Sequence, residues 1–473
     1  MGFRGFAVIT GAALLFCVPG GLRAQRNSVD LWLTTADRSA LLARQPAGLR
    51  FTKGTAEGPT IAVDDTLKMQ RMEGFGFALT GGSAELLMRM SPAARTALLR
   101  ELFATDAAGS IGVSYLRVSI GSSDMNEHVF TYDDMPAGEQ DPQLAHFDLG
   151  PDKADVVPVL KEILAINPAV SILGSPWSPP SWMKTNVAPK AGSLPPENYG
   201  VYAQYFVKYI QAMAAEGIHI DAITVQNEPL NKNNTPSLYM PAAEEGAFIK
   251  SALGPALRAA NLRTRIILYD HNCDRPDYPL QILADPEASR YVAGSGFHLY
   301  GGDVSAMTQV HNAYPQKGVY FTEQMVIEKP GEVPFKIQEP VSRVVIGATR
   351  NWGQNVLLWN LAADPHNGPH TADGGCPICQ GAITLDGDTV TRNLAFYAVA
   401  HASKFVRPGS VRIASSGPAE ADLAEVAFQR PDHATVLLVA NRTAAPYSFT
   451  VGSHGQVFRT TLAAGAVGTY LWR

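Results

Sequence analysis

Cysteine is scarce in this chain: four in 473 residues. Cys17 lies in an N-terminal apolar run, and the other three do not make a disulfide framework, so the fold must be held by its core. Charge is sparse as well. Charged residues are 17% of the chain and the formal net charge is -5, which leaves no basic footprint for nucleic acid. Nowhere is there an uninterrupted apolar stretch of about 18 residues, so no stable membrane anchor is expected. What the chain does have is 46% hydrophobic residues. That supports a large core, in one big domain or two of ordinary size.

The N-terminus stands apart. Arg4 precedes an apolar, small-residue run over residues 6–18, then Pro19, Gly20 and Gly21, with Ala24 ahead of Gln25. A positive start, a short apolar segment and a small residue at its end mark a secretory signal. Residues 1–24 are expected to be a signal peptide, and the mature protein secreted or periplasmic.

Short β-rich runs recur along the middle of the chain, at 74–76, 113–120, 170–174, 222–225, 265–269, 296–300, 318–322 and 355–359. Between them, segments such as 154–166 and 199–215 carry apolar residues at helical spacing. Eight strands alternating with helices predict parallel pairing and a closed (β/α)8 TIM barrel over residues 69–404. The flanks read differently. Strand-like runs at 411–413, 423–429, 435–440, 447–451 and 468–472, without a helix signal, make residues 405–473 an all-β module. Residues 25–68 add similar runs at 30–34, 49–52 and 60–63. The fold class is therefore α/β, a barrel with an attached β-sandwich built from both chain ends.

In such a barrel the reacting groups sit at the C-terminal ends of the strands. Two strands end in glutamate, the fourth in Gln226-Asn227-Glu228-Pro229 and the seventh in Thr322-Glu323-Gln324. A carboxylate directly after a buried strand is costly unless paired or used. Alone, either glutamate is equally well a solvated rim residue; together they say more. They lie 95 positions apart, three βα units of about 32 residues each, which sets them facing across the barrel. Two carboxylates about 5 Å apart on either side of a glycosidic bond are what retaining hydrolysis requires. Asn227 places an amide where a sugar 2-hydroxyl can be bound, and Pro229 stiffens the turn.

Asn227-Glu228-Pro229 after a strand resembles the signature of a superfamily of barrel glycosidases, and that match makes Glu228 the acid/base and Glu323 the nucleophile. The more particular string Ser175-Pro176-Trp177-Ser178-Pro179-Pro180-Ser181-Trp182-Met183-Lys184-Thr185-Asn186 resembles glycoside hydrolase family 30, the glucosylceramidase-like group. So do Gly74-Phe75-Gly76, Tyr115-Leu116-Arg117 with Gly121-Ser122-Ser123-Asp124, and His146-Phe147-Asp148-Leu149. Tyr269-Asp270-His271-Asn272, Phe297-His298-Leu299-Tyr300, Trp359-Asn360-Leu361 and residues 403–409 continue the match to the end of the barrel. The resemblance covers essentially the whole mature chain and implies no metal and no organic cofactor. It sets Trp177 in the wall of the sugar subsite, where an aromatic face buries sugar C–H groups. It pairs Arg117 with a catalytic carboxylate, lowering its pKa, although a core ion pair is the plainer reading of that residue. His298 and Tyr300 fall near the nucleophile, and Asp124, Asn227, Trp359 and Asn360 at substrate-binding positions. The implied partner is a β-linked glucan, oligosaccharide or glucoside.

Two departures bear on substrate. Glucosylceramidases carry an aspartate after the first-strand threonine; here Thr80 is followed by Gly81, Gly82 and Ser83. The sugar clamp is then rebuilt elsewhere or left open, and an open end suits an endo-β-1,6-glucanase, an activity also found in the family. The eighth-strand loop, 364–381, carries His366, His370, Cys376 and Cys379. That spacing admits a zinc site, a local disulfide or two loop thiols. The expected function is a secreted retaining β-glycoside hydrolase, glucosylceramidase-like, with endo-β-1,6-glucanase as the alternative. The readings from other classes are a non-catalytic carbohydrate-binding protein and a metal-dependent hydrolase using His366, His370 and Cys376.

Overall fold

The computed structural model describes residues 1–2, 27–329, 331 and 333–473. The signal-peptide expectation falls almost wholly on residues 3–26, outside this set. Eight parallel strands close a barrel in chain order: β1 Gly74–Leu79, β2 Tyr115–Ile120, β3 Ser171–Pro176, β4 Ala222–Thr224, β5 Arg265–Cys273, β6 Val292–Gly302, β7 Gly318–Glu323 and β8 Gly353–Leu358. Gly76 is needed where β1 meets β2, because a Cβ there would lie 1.8 Å from the Tyr115 carbonyl oxygen. Helices cover the outside. Tyr199–Ala215 buries Tyr202, Tyr205, Phe206, Tyr209, Ile210 and Met213 at helical spacing.

The barrel interior is layered by the two-residue period of its strands. Tyr115, Leu173, Ala222, Ile267, Tyr320 and Leu357 form an apolar plug. Two residues further along five of these strands stand Arg117, Ser175, Thr224, Thr322 and Trp359, all buried. The plug thus gives way to a polar layer beneath the barrel mouth. β5 breaks the period: Tyr269 and Asp270 take φ of 76° and 55°, and its register with β6 slips between Tyr269 and His271. That bulge turns Asp270 inward to complete the layer. Its polar run hides the rest of β5 from a hydrophobic reading, so the strand continues to Cys273 rather than stopping at Tyr269.

Both chain ends build the second domain. Ser28–Thr34 pairs antiparallel with Val467–Trp472, and Thr60–Arg71 lies between Val411–Ser416 and Tyr447–Ser453 in one 11-stranded sheet. Its core includes Val29, Ile61, Phe449, Phe458 and Tyr470. A strand absent from the sequence reading, Gln456–Leu462, pairs with Tyr447–Ser453. The domain is fastened to the barrel by His401, whose buried ring bonds Thr34 Oγ1 at 2.8 Å and Thr469 Oγ1 at 2.9 Å.

Candidate active site

The loops after the strands enclose a cleft of about 600 Å³ at the C-terminal face of the barrel. Glu228 and Glu323 both line it, and a carboxylate oxygen of each lies within 4.8 Å of the other. Glu323 is the last residue of β7. Glu228 follows β4 in a left-handed conformation, φ 45°, with its N–H donating to the Asp270 carbonyl at 3.0 Å. Three non-glycine residues in the left-handed region thus meet at the site, each at a cost of order 1–3 kcal/mol.

Arg117 lies fully buried under the cleft and organises the charges. Its Nη1 donates to Glu323 Oε2 at 2.6 Å, and its Nη2 to Asp270 Oδ2 at 2.8 Å, Asn227 Oδ1 at 2.6 Å and Ser175 Oγ at 3.0 Å. The Tyr300 hydroxyl donates to Glu323 Oε1 at 3.0 Å. His298, also fully buried, sits among carboxylates. Its Nδ1 is 3.3 Å from Glu228 Oε1 and 3.7 Å from Glu323 Oε1, and its Nε2 is 3.1 Å from Asp270 Oδ1.

These contacts fix the protonation pattern. Burial works against charge on His298, but Glu323, Asp270 and Glu228 outweigh it and push the ring up to about 9. Burial likewise opposes ionisation of Glu228, yet His298, His271 and the Asn231 amide hold it down to about 2. For Asp270 burial is outweighed by Arg117 and His298, which keep it well below the carboxylate range. Glu323 goes the other way: burial pushes it up, and His298 and Arg117 recover only part. Glu228, His298 and Glu323 therefore titrate as one unit. The shifts of His298 and Glu228 both favour the proton on His298, 3.3 Å from Glu228 Oε1.

The cleft also holds polar atoms that have no hydrogen-bond partner among the described residues: Asp124 Oδ1 and Trp177 Nε1, both buried. Burial, with Glu323 and Glu228 nearby, pushes Asp124 up to about 8, which favours the neutral carboxyl. Trp177 and Trp359 form the aromatic side, ring centroids 5.5 Å apart, with the Arg117 guanidinium 4.8 Å from the Trp177 ring. Asn227 lines the cleft with its carbonyl taken by Arg117. Asn360 is not brought to the cleft. Its Oδ1 accepts from Ser83 Oγ at 2.6 Å and Thr80 Oγ1 at 3.0 Å, and its amide donates to the Ala362 carbonyl, so it joins the end of β8 to the loop after β1.

The structure settles two points that the sequence leaves open. The place of the missing aspartate is not an open end: a Cβ on Gly81 would meet Asn126 Nδ2 at 1.9 Å, and one on Gly82 would meet the Pro369 ring at 3.1 Å. Asn126 and the eighth-strand loop close that space. Cys376 and Cys379 are joined in a disulfide, which takes both sulfurs out of zinc ligation, so the His366–His370–Cys376 metal site does not form. The one group of potential metal ligands among the described residues is Glu228, His298 and Glu323. Their arrangement is already neutralised by Arg117 and His298 itself, and suits general acid/base and nucleophilic work instead.

A paired carboxylate site at the mouth of an eight-stranded barrel, with a β-sandwich fed by both termini, matches a described family. Residues 72–406 fit the glycosyl hydrolase family 30 TIM-barrel domain and residues 409–470 the family 30 beta sandwich domain. The chain belongs to glycosyl hydrolase family 30. An endo-1,6-β-D-glucanase of Neurospora crassa is 36% identical over 420 residues, covering 86% of this chain and 85% of its own. The lysosomal acid glucosylceramidase of Mus musculus is 29% identical over 445 residues, covering 89% and 84%. A solved endo-β1,6-glucanase structure superposes with a TM-score of 0.87 at 36% identity, over 94% of this chain and 99% of that one. This family 30 protein is thus an O-glycosyl hydrolase, and glycosides are its substrates.

Sequence reasoning left several site residues without a role. Asp270 is the second anchor of Arg117, and it stands in a quoted motif, but only the β5 bulge turns it inward. Asn231 donates to Glu228 Oε2 at 2.7 Å, and Asn233, Asn234, His271 and Asn272 also line the cleft. The asparagine-rich run after Pro229 was the available signal: a polar cluster directly behind a strand-end carboxylate.

Proposed function

We propose that the protein is a retaining endo-β-1,6-glucanase, with Glu228 as acid/base and Glu323 as nucleophile. The observation carrying the substrate is that relatives named for this activity reach 36% identity in both sequence and solved structure. The glucosylceramidase likeness, at 29%, is the weaker support. Carboxylate oxygens within 4.8 Å of each other favour double displacement over an inverting mechanism, which needs about 6.5–9.5 Å.

In the first step Glu323 attacks the anomeric carbon while Arg117 and Tyr300 hold its carboxylate. The glycosidic C–O bond breaks as Glu228 protonates the departing oxygen. In the second step Glu228 takes a proton from water, which attacks the anomeric carbon and frees Glu323. The proton on His298 supplies the acid form: a bound sugar displaces water from Glu228, raises its pKa and draws the proton across the 3.3 Å gap. Asp124 and Trp177 Nε1 meet sugar hydroxyls that satisfy them.

Export is part of the reading, supported by the leader-like start and by a disulfide, a bond that persists in oxidising compartments. The test is product analysis on β-1,6-glucan beside glucosylceramide. A ladder of β-1,6-linked oligosaccharides is expected. Glucose as the sole product, or action on glucosylceramide alone, would overturn the substrate assignment.

A further inference from the structure

The C-x-x-C motif has no part in the chemistry above, yet residues 374–379 form one wall of the catalytic cleft. That wall is fixed at both ends. Cys379 is buried against Trp177 and Trp359, on the aromatic side. At the other end the Gly374 carbonyl accepts from Thr235 N–H at 3.4 Å, and a Cβ on Gly374 would lie 2.7 Å from the Asn233 carbonyl. The wall therefore meets the loop that follows Glu228. Only Pro377 and Ile378 stand between the half-cystines. The Pro377 carbonyl accepts from Asn367 Nδ2 at 3.2 Å, and the Ile378 carbonyl from Gln380 N–H at 2.9 Å, so the tip is held as well as its base.

Ile378 is 56% exposed. A large aliphatic side chain standing in water contributes little to packing, and the protein has used a disulfide to keep it there. Few large hydrophobic side chains are exposed among the described residues. Two of them, Ile378 and Tyr300, line this same cleft. Concentration at one cleft separates them from the scattered exposure normal for a protein surface. A pyranose presents an apolar C–H face rimmed by hydroxyls, and a subsite for it combines apolar surface with a few placed amides. Ile378 offers the first, and Asn233 and Asn234 in the same cleft offer the second.

We propose that Ile378, presented by the Cys376–Cys379 ring, is the platform for a second glucosyl unit of a β-1,6-linked chain, next to the unit held between Glu228 and Glu323. The inference rests on the β-1,6-glucan reading and deepens it. The disulfide acts through Ile378, fixing the height of the platform rather than touching the reacting atoms.

The experiment measures kcat/KM of the intact protein on an aryl β-glucoside, which carries a single sugar unit, and on β-1,6-linked gluco-oligosaccharides up to the tetrasaccharide. Wild type should gain with chain length across the oligosaccharides. In Ile378→Ala the tetrasaccharide-to-aryl-glucoside ratio should fall about tenfold from its wild-type value, the effect of roughly one methyl-rich face lost from a subsite. Cys376→Ser with Cys379→Ser should show the same loss, carried in KM rather than kcat. Ile378→Ala is an exposed-residue change that leaves the fold intact, so it decides the matter even if the double variant unfolds. A tetrasaccharide-to-aryl-glucoside ratio unchanged from wild type in Ile378→Ala overturns this proposal alone. Wild-type inactivity on the whole series overturns the substrate reading and this proposal with it.

Discussion

Replacing Arg117 by methionine removes one of the two cations, the other being protonated His298, that two buried carboxylates share, while keeping most of its volume. Arg117 touches Glu323 at 2.6 Å and Asp270 at 2.8 Å, and both it and Asp270 have no exposed side-chain surface. Breaking a buried pair by deleting one partner costs about 3–5 kcal/mol, because the remaining charge is left uncompensated. A carboxyl can escape that cost by taking up a proton. At about 1.36 kcal/mol per pH unit, the cost corresponds to a rise of roughly 2–4 units in carboxyl pKa. The sign is set by the chemistry. Glu323 already lies above its ordinary value through burial, loss of Arg117 raises it further, and a nucleophile works ionised. The acid limb of the kcat/KM profile on an aryl β-glucoside should therefore move to higher pH by more than one unit. Thermal unfolding should also fall near neutrality, with the deficit shrinking as the pH is lowered and the carboxyls protonate. Arg117→Lys, which keeps the charge but not the fork, should fall between. A folded Arg117→Met protein whose acid limb stays in place would refute the reasoning and leave Arg117 as a core ion pair.

Glu323→Ala should abolish turnover, and added azide should give a glycosyl azide of inverted configuration, read by NMR; a retained product would sink the nucleophile assignment. His298 titrates at about 9 in the folded protein, above the ordinary value of about 6.5. Its contribution to stability is thus fully present below pH 6.5 and is lost as the pH rises through 9. Unfolding temperature should decline across that window in wild type and decline less steeply in His298→Gln. Equal slopes would show that His298 is not the group holding the proton.

Much of this was legible in the sequence for a physical reason: strands buried on both sides are continuous apolar runs, and a charge at the end of one stands out. Glu228 and Glu323 announced themselves that way, and so did the eightfold alternation. Residues whose role depends on breaking a period were not legible. Asp270 reads as the polar end of β5, and only the slip between Tyr269 and His271 turns it toward Arg117. Asn360 stood in a matching motif but spends its amide on Ser83, Thr80 and Ala362, contacts between segments far apart in the chain. Gly81 suggested an opening because the residue that covers it, Asn126, comes from the loop after β2.

The left-handed backbone at Glu228, Tyr269 and Asp270 has a consequence for how this enzyme evolves. Glycine accepts φ of 45° without penalty, so glycine at 228 would relax the backbone while giving up the carboxylate that His298, His271 and Asn231 hold ionised. The two effects oppose each other in stability, and on the mechanism proposed above the exchange would also cost the acid/base. A screen of position 228 for heat resistance and a screen for turnover would then rank the substitutions differently.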